Sequence, residues 1–197
     1  MLRCWIIWLL LMTFPVVVLA DHKHVKHKHW TNKYDRHFKK NSKHYFGPGV
    51  NWRIFKAQAI AESGLNPDAK STVGALGIMQ IMPDTYMEIL KKQSHLGRIQ
   101  QPRWNIAAAI YYNRQLYKRW RKKEIPVEDR MNFTFGSYNA GFGNILKARK
   151  KLRKNLKKDN IYTGRIVTEW DKIEAYTPSQ TRHYVRRINS LMQVTHK

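Results

Sequence analysis

The chain of 197 residues has one cysteine, Cys4. No disulfide framework can hold it together, so its stability must come from a packed core. Acid is nearly as scarce: 13 Asp and Glu stand against 37 Lys and Arg, a formal net charge of +24. No apolar run reaches the roughly 20 residues that a membrane-spanning helix needs. No sustained alternation of apolar and polar residues marks a large sheet, which leaves a mainly α reading. No recognised nucleic-acid reader motif accompanies the positive charge, which argues against a specific nucleic-acid partner.

The first twenty residues have the pattern of a targeting segment. Arg3 supplies a positive start, 5–11 is continuously apolar, Pro15 breaks any helix, and Val18-Leu19-Ala20 places small or aliphatic residues before a cleavage point. We expect a cleaved signal peptide over 1–20, and hence export to the periplasm or cell envelope. Cys4 would leave with it. From 21 to 47, six histidines (His22, His24, His27, His29, His37 and His44) alternate with lysines, and no apolar period is sustained. The expectation is a flexible His/Lys-rich linker. Neutral imidazole is a common metal ligand, but these spacings match no closed zinc site and lack a Cys or carboxylate cluster, so no metal is assigned. The same imidazoles would gain charge as pH falls through about 6.5. Gly47-Pro48-Gly49 marks the expected domain boundary, with one helical domain over 48–197.

Within that domain, 57–85 (AQAIAESGLNPDAKSTVGALGIMQIMPDT) carries the chemistry. Trp52, Phe55, Ala59 and Ile60 recur at helical spacing, Asn51 can cap the start, and Gly64 can supply a left-handed end. Glu62 then sits in the last turn, where the helix dipole disfavours an anion. Burial in a cleft formed with the glycine-containing loop that follows would raise its pKa further and let it hold a proton near neutrality. A carboxylic acid in that state can protonate the leaving oxygen of a glycosidic bond. Pro83 opens the next helix, 104–120 is the longest helical pattern, and 128–138 leads into Ser137-Tyr138-Asn139-Ala140-Gly141. There Tyr138 can stack on a sugar and hydrogen-bond, while Asn139 offers donors and an acceptor to an N-acetyl group. Residues 147–158 carry eight cations in twelve positions. Short irregular pieces are expected over 161–175, and a final helix opens near Thr177-Pro178.

Glu62-Ser63-Gly64, Ala69-x-Ser71, Gly74-Ala75-x-Gly77-x-Met79-Gln80, Met82-Pro83-x-Thr85, Asn105-Ile106, 137–141 and Thr181-Arg182-His183-Tyr184-Val185 occur in the order of, and resemble, the lytic transglycosylase catalytic domain of the lysozyme superfamily. Two positions depart from the family pattern: Ser137 replaces an Ala, and Gln180 replaces a Glu. The resemblance implies a mainly α, lysozyme-like domain of the goose-type lysozyme and soluble lytic transglycosylase kind. It implies Glu62 as the catalytic acid and then base, with Ser63, Ser71, Gly77, Met79, Gln80, Tyr138, Asn139, Ala140 and Tyr184 binding substrate. The implied substrate is peptidoglycan, cleaved between N-acetylmuramic acid and N-acetylglucosamine without water, with no cofactor. Ser71 is implied to support the N-acetyl group, and Tyr184 to hydrogen-bond near Glu62. Two other classes remain open. One is a hydrolytic muramidase, for which Asp68 or Asp84 would activate water. The other is a non-enzymatic cationic protein bound to anionic cell-envelope surfaces or nucleic acid.

Overall fold

Eight α-helices are described by the computed structural model, which covers residues 29–158 and 166–193. They are α1 (Asp35–Phe46), α2 (Arg53–Ser63), α3 (Pro83–Leu90), α4 (Pro102–Arg121), α5 (Val127–Ala140), α6 (Phe142–Lys158), the single turn α7 (Trp170–Ile173) and α8 (Ser179–Gln193). Two short 3-10 turns flank α7. Among the described residues there is no strand; two isolated bridges, Lys70 with Leu76 and Leu76 with Ile81, brace the loop between α2 and α3. The expected signal peptide over 1–20, His22, His24, His27 and positions 161–165 lie outside the described residues.

The helix α5 is the organising element. It packs against α4, α6 and α8, while α2 lies between α1 and α8. Phe55, Ile60, Ile78, Ile106, Ile110, Phe133, Phe135, Val185 and Ile188 fill the centre with no exposed surface. A fully buried apolar side chain contributes roughly 1.5–3 kcal/mol relative to exposure, so this set supplies the stability that cysteines do not. The buried indole of Trp120 donates to the Ser137 hydroxyl at 2.9 Å. The serine that departs from the family pattern therefore satisfies a buried donor, which alanine could not do. Local signals work as read at most ends. Asn51 Oδ1 accepts from Arg53 N at 3.1 Å, Pro83 occupies the first turn of α3, and Gly64 ends α2 at φ 64°, ψ 27°.

The linker expectation over 21–47 fails for its second half. Residues 35–46 form α1, which packs on α2 and α4. Phe38 is fully buried, and Tyr45 and Phe46 pack against the core. Asp35 accepts from Lys56 Nζ at 2.6 Å, and that ammonium, almost wholly buried on α2, also lies 4.8 Å from the centre of the Trp30 ring. An ammonium buried this deeply needs such partners. The physical reason for the misreading is sparse patterning: a few aromatics among lysines and histidines are enough to dock one helical face. The folded unit therefore begins before Gly47.

Candidate active site

The loop between α2 and α3 is built around Asn105, a buried residue of α4. Its Oδ1 accepts from Met79 N at 2.8 Å, and its Nδ2 donates to Leu76 O at 3.0 Å and Ile99 O at 2.9 Å. Gly77 sits at φ 76°, and a Cβ there would lie 2.6 Å from Asn105 Nδ2. The loop passes so close to α4 that only glycine fits. Gln80, at φ 47°, ties its amide back to Ala69 O and Gly77 O at 3.1 and 2.9 Å.

The loop, α2, the C-terminal end of α5 and α8 enclose a cleft of about 490 Å³. Its walls are Ala61, Glu62, Ser71, Val73, Ala75, Gln80, Met82, Tyr138, Asn139, Gln180, His183, Tyr184 and Arg187. Glu62 is the one carboxylate in that lining. Burial pushes its pKa up to about 8, against a smaller downward pull from the hydrogen bond of Tyr184. The Tyr184 hydroxyl donates to Glu62 Oε1 at 2.5 Å and accepts from Gln58 Nε2 at 3.1 Å. Gln58 Oε1 in turn accepts from Asn113 Nδ2 at 2.7 Å. Gln58 and Asn113 have no exposed surface, so a buried amide chain fixes the phenol that holds the acid. Burial and the Glu62 charge both raise the Tyr138 and Tyr184 pKa values far above the ordinary phenol value. Both phenols stay neutral donors.

The structure brings Glu62, Ser71, Gln80, Tyr138, Asn139 and Tyr184 together at the cleft. Tyr138 spends its hydroxyl on Met79 O at 2.8 Å, which leaves its ring for a ligand. Asn139 Oδ1 accepts from the Thr181 hydroxyl at 2.9 Å, which orients the amide and leaves its N–H₂ group to donate. Ser71 Oγ accepts from Ala75 N at 2.9 Å and keeps its own proton to donate.

Four expected binding residues stand elsewhere. Met79 is fully buried in the core, and only its carbonyl reaches a cleft residue. Gly77 is buried against Asn105. Ser63 points its hydroxyl at Ile78 O, 2.8 Å away, and pins the loop to α2. Ala140 packs against the core at the end of α5. These four shape the site and do not line it: Ser63, Gly77 and Met79 turn inward to anchor the tight loop, and Ala140 seats the end of α5 on the core. Sequence reading also missed Gln180, His183 and Arg187, which share the cleft-facing side of α8 with Tyr184. Gln180 and Arg187 stand four residues before and three after Tyr184, and His183 stands three after Gln180 and four before Arg187; this helical spacing was the available signal. Asp68 and Asp84, the candidate water-activating acids, are exposed and absent from the cleft lining.

Comparison with known proteins shows the family. The family model described as the transglycosylase SLT domain matches residues 38–161. A membrane-bound lytic murein transglycosylase F from Shewanella sediminis is 33% identical over 113 residues, covering 57% of this chain and 22% of the relative. The chain thus spans about a fifth of the length of the curated relatives it matches. The 70-kDa soluble lytic transglycosylase of Escherichia coli superposes with a TM-score of 0.59 at 27% identity, over 84% of this chain and 24% of that one. An inactive mutant of the lytic transglycosylase Slt from Pseudomonas aeruginosa shares the fold, with a TM-score of 0.62 at 22% identity over 83% of this chain and 24% of that one.

Proposed function

We propose a function from one premise: the chain belongs to the transglycosylase SLT domain family, and its cleft holds a single, protonated carboxylic acid. The reading is a peptidoglycan lytic transglycosylase that acts on the β-1,4 bond between N-acetylmuramic acid and N-acetylglucosamine. One observation carries it: Glu62 is the one carboxylate that lines the cleft, and its pKa of about 8 keeps it protonated at neutral pH.

In the first step Glu62 gives its proton to the glycosidic oxygen, and the bond from that oxygen to C1 breaks. The N-acetyl oxygen of the muramoyl residue stabilises the cation that develops at C1. Glu62, now ionised, accepts the hydrogen bond of Tyr184 and removes the proton of the muramoyl C6 hydroxyl. That oxygen attacks C1 and closes a 1,6-anhydro ring. Atoms balance without water, and Glu62 ends protonated as it began. The nucleophile is tethered to the electrophile, an advantage equivalent to about 10⁵ M or more in well-oriented cases. Ser71, Tyr138, Asn139 and Gln80 would hold the sugars. The expected export through residues 1–20 would deliver the enzyme to this substrate.

A hydrolytic muramidase of the same fold would need a base to activate water, and neither Asp68 nor Asp84 lines the cleft. The test is mass spectrometry of the muropeptides released from purified sacculi. The expected product is the anhydro form, lighter by one water than the hydrolysis product. Reducing-end N-acetylmuramic acid as the main product would overturn the reading in favour of hydrolysis.

A further inference from the structure

A second concavity, of about 330 Å³, opens where the end of α4 meets α6. Lys122, Lys123, Glu124, Leu146, Arg149, Lys150 and Arg153 line it, and it shares no residue with the cleft. Five cations therefore face one carboxylate. Among the described residues none of the five enters an ion pair. Arg149 is the fixed member: its Nε donates to Val167 O at 2.7 Å and its Nη2 reaches Lys123 O at 3.4 Å. Burial and the charge of Arg153 press its pKa down, and Glu124 offsets only part of this. The turn that brings Lys122 and Lys123 to the rim is held by Glu124 in the left-handed region, at φ 60°, an uncommon conformation for a residue other than glycine.

A solvated basic helix face needs none of this. Cations on such a face spread apart into water, whereas here a pinned guanidinium stands at the wall of a concavity with four more cations around it. A planar guanidinium held in place matches the oxygens of a phosphate, and flexible ammonium groups add point charge around it. A phosphate presents more acceptor oxygens and more charge than a carboxylate, which suits five donors in one hollow.

We propose that this hollow is a phosphate-binding site, separate from the cleft, for a phosphate ester presented either on a lipid headgroup or free in solution. Occupied by a headgroup, it would hold the enzyme at an anionic membrane surface while the cleft works on a different polymer.

The test uses the full-length protein in about 0.15 M salt, where exposed charges more than about 8 Å apart are largely screened. Inorganic pyrophosphate is titrated by calorimetry, and vesicles with or without phosphatidylglycerol are used in flotation. The pocket variant is Lys122→Glu/Lys150→Glu/Arg153→Glu, three exposed positions that leave the anchored Arg149 in place. A control of equal charge change, Lys33→Glu/Lys43→Glu/Lys92→Glu, alters exposed positions outside the hollow. Thermal melts establish that both variants fold. The expected result is a loss of roughly tenfold or more in pyrophosphate affinity for the pocket variant and little change for the control, with activity on soluble muropeptides kept by both. Vesicle binding lost in parallel, and competed by pyrophosphate, assigns the site to headgroups. Pyrophosphate binding without vesicle binding assigns it to free phosphate esters. Equal losses in the two variants, or no measurable pyrophosphate binding by the wild type, overturn the site.

Discussion

At the scale of single residues, the environment of Glu62 decides what the cleft can do. Burial favours its neutral form more than Tyr184 favours its charged form, and the acid stays protonated up to about pH 8. Glu62→Gln should lower turnover of sacculi by at least the factor of about 10² to 10⁴ that general acid–base groups typically contribute. The same variant should be more stable than the wild type in alkaline solution. The folded-state pKa lies above the ordinary value of 4.5, so from there to about 8 the unfolded chain releases a proton that the folded chain keeps. Stability conferred on the wild type therefore falls across that window, and glutamine does not titrate. A gap on the order of 1 kcal/mol above pH 8, closing below pH 4.5, is expected in denaturant titrations once the open side of the cleft is allowed for. A gap independent of pH would remove the case for a proton on Glu62. Tyr184→Phe probes the opposing pull. Losing the donor to Glu62 Oε1 should move the alkaline limb of the pH–rate profile upward and slow the reaction roughly tenfold, because the ionised acid formed in the first step loses its partner. A downward shift of that limb would contradict the arrangement.

At the scale of elements, the lesson is how a helix can hide and how a motif can mislead. The helices α2 to α5 and α8 were legible because their apolar residues recur at a helical period and their ends carry Pro or Gly signals. The acid, Ser71, Gln80, Tyr138, Asn139 and Tyr184 were legible because motif and cleft coincide. By contrast α1 presents only Phe38 and Ser42 as buried positions in twelve residues, too few to set a period against its lysines and histidines. Met79 and Gly77 were misplaced for another reason. A motif marks residues that a site requires, and it does not say whether they face the ligand or anchor the loop that does. The role of α1 is testable. Phe38→Ala should destabilise the domain by about 3–5 kcal/mol, read as a shift of the denaturation midpoint. Truncation to Gly47 should also strand the buried Lys56 without Asp35, a loss of the kind that costs about 3–5 kcal/mol, and should give a protein that does not fold. A truncated chain with wild-type melting would return 35–46 to the status of a linker.

At the scale of the whole molecule, charge and chemistry are kept apart. The sequence carries a net charge of +24, and among the described residues most lysines and arginines are exposed, with 147–158 exposing lysines on the solvent side of α6 while Ile145, Ala148 and Leu152 face the core. Glu62 is held instead by an uncharged phenol and a buried chain of amides. Such a division has a kinetic consequence. Attraction of this charge to any anionic surface acts over distances that salt screens, since the Debye length shrinks from about 10 Å at 0.1 M to about 3 Å at 1 M. Proton transfer inside the cleft acts over one hydrogen bond and is screened far less. Raising salt from about 0.05 to 0.5 M should therefore weaken binding to whole sacculi and slow their turnover several-fold, while turnover of saturating short soluble muropeptides changes little. The pH at which the rate falls, set by burial of Glu62, should stay in place across the same range. Parallel salt dependence on both substrates would mean that the surface charge acts on the cleft itself, and the separation of tethering from catalysis would have to be abandoned.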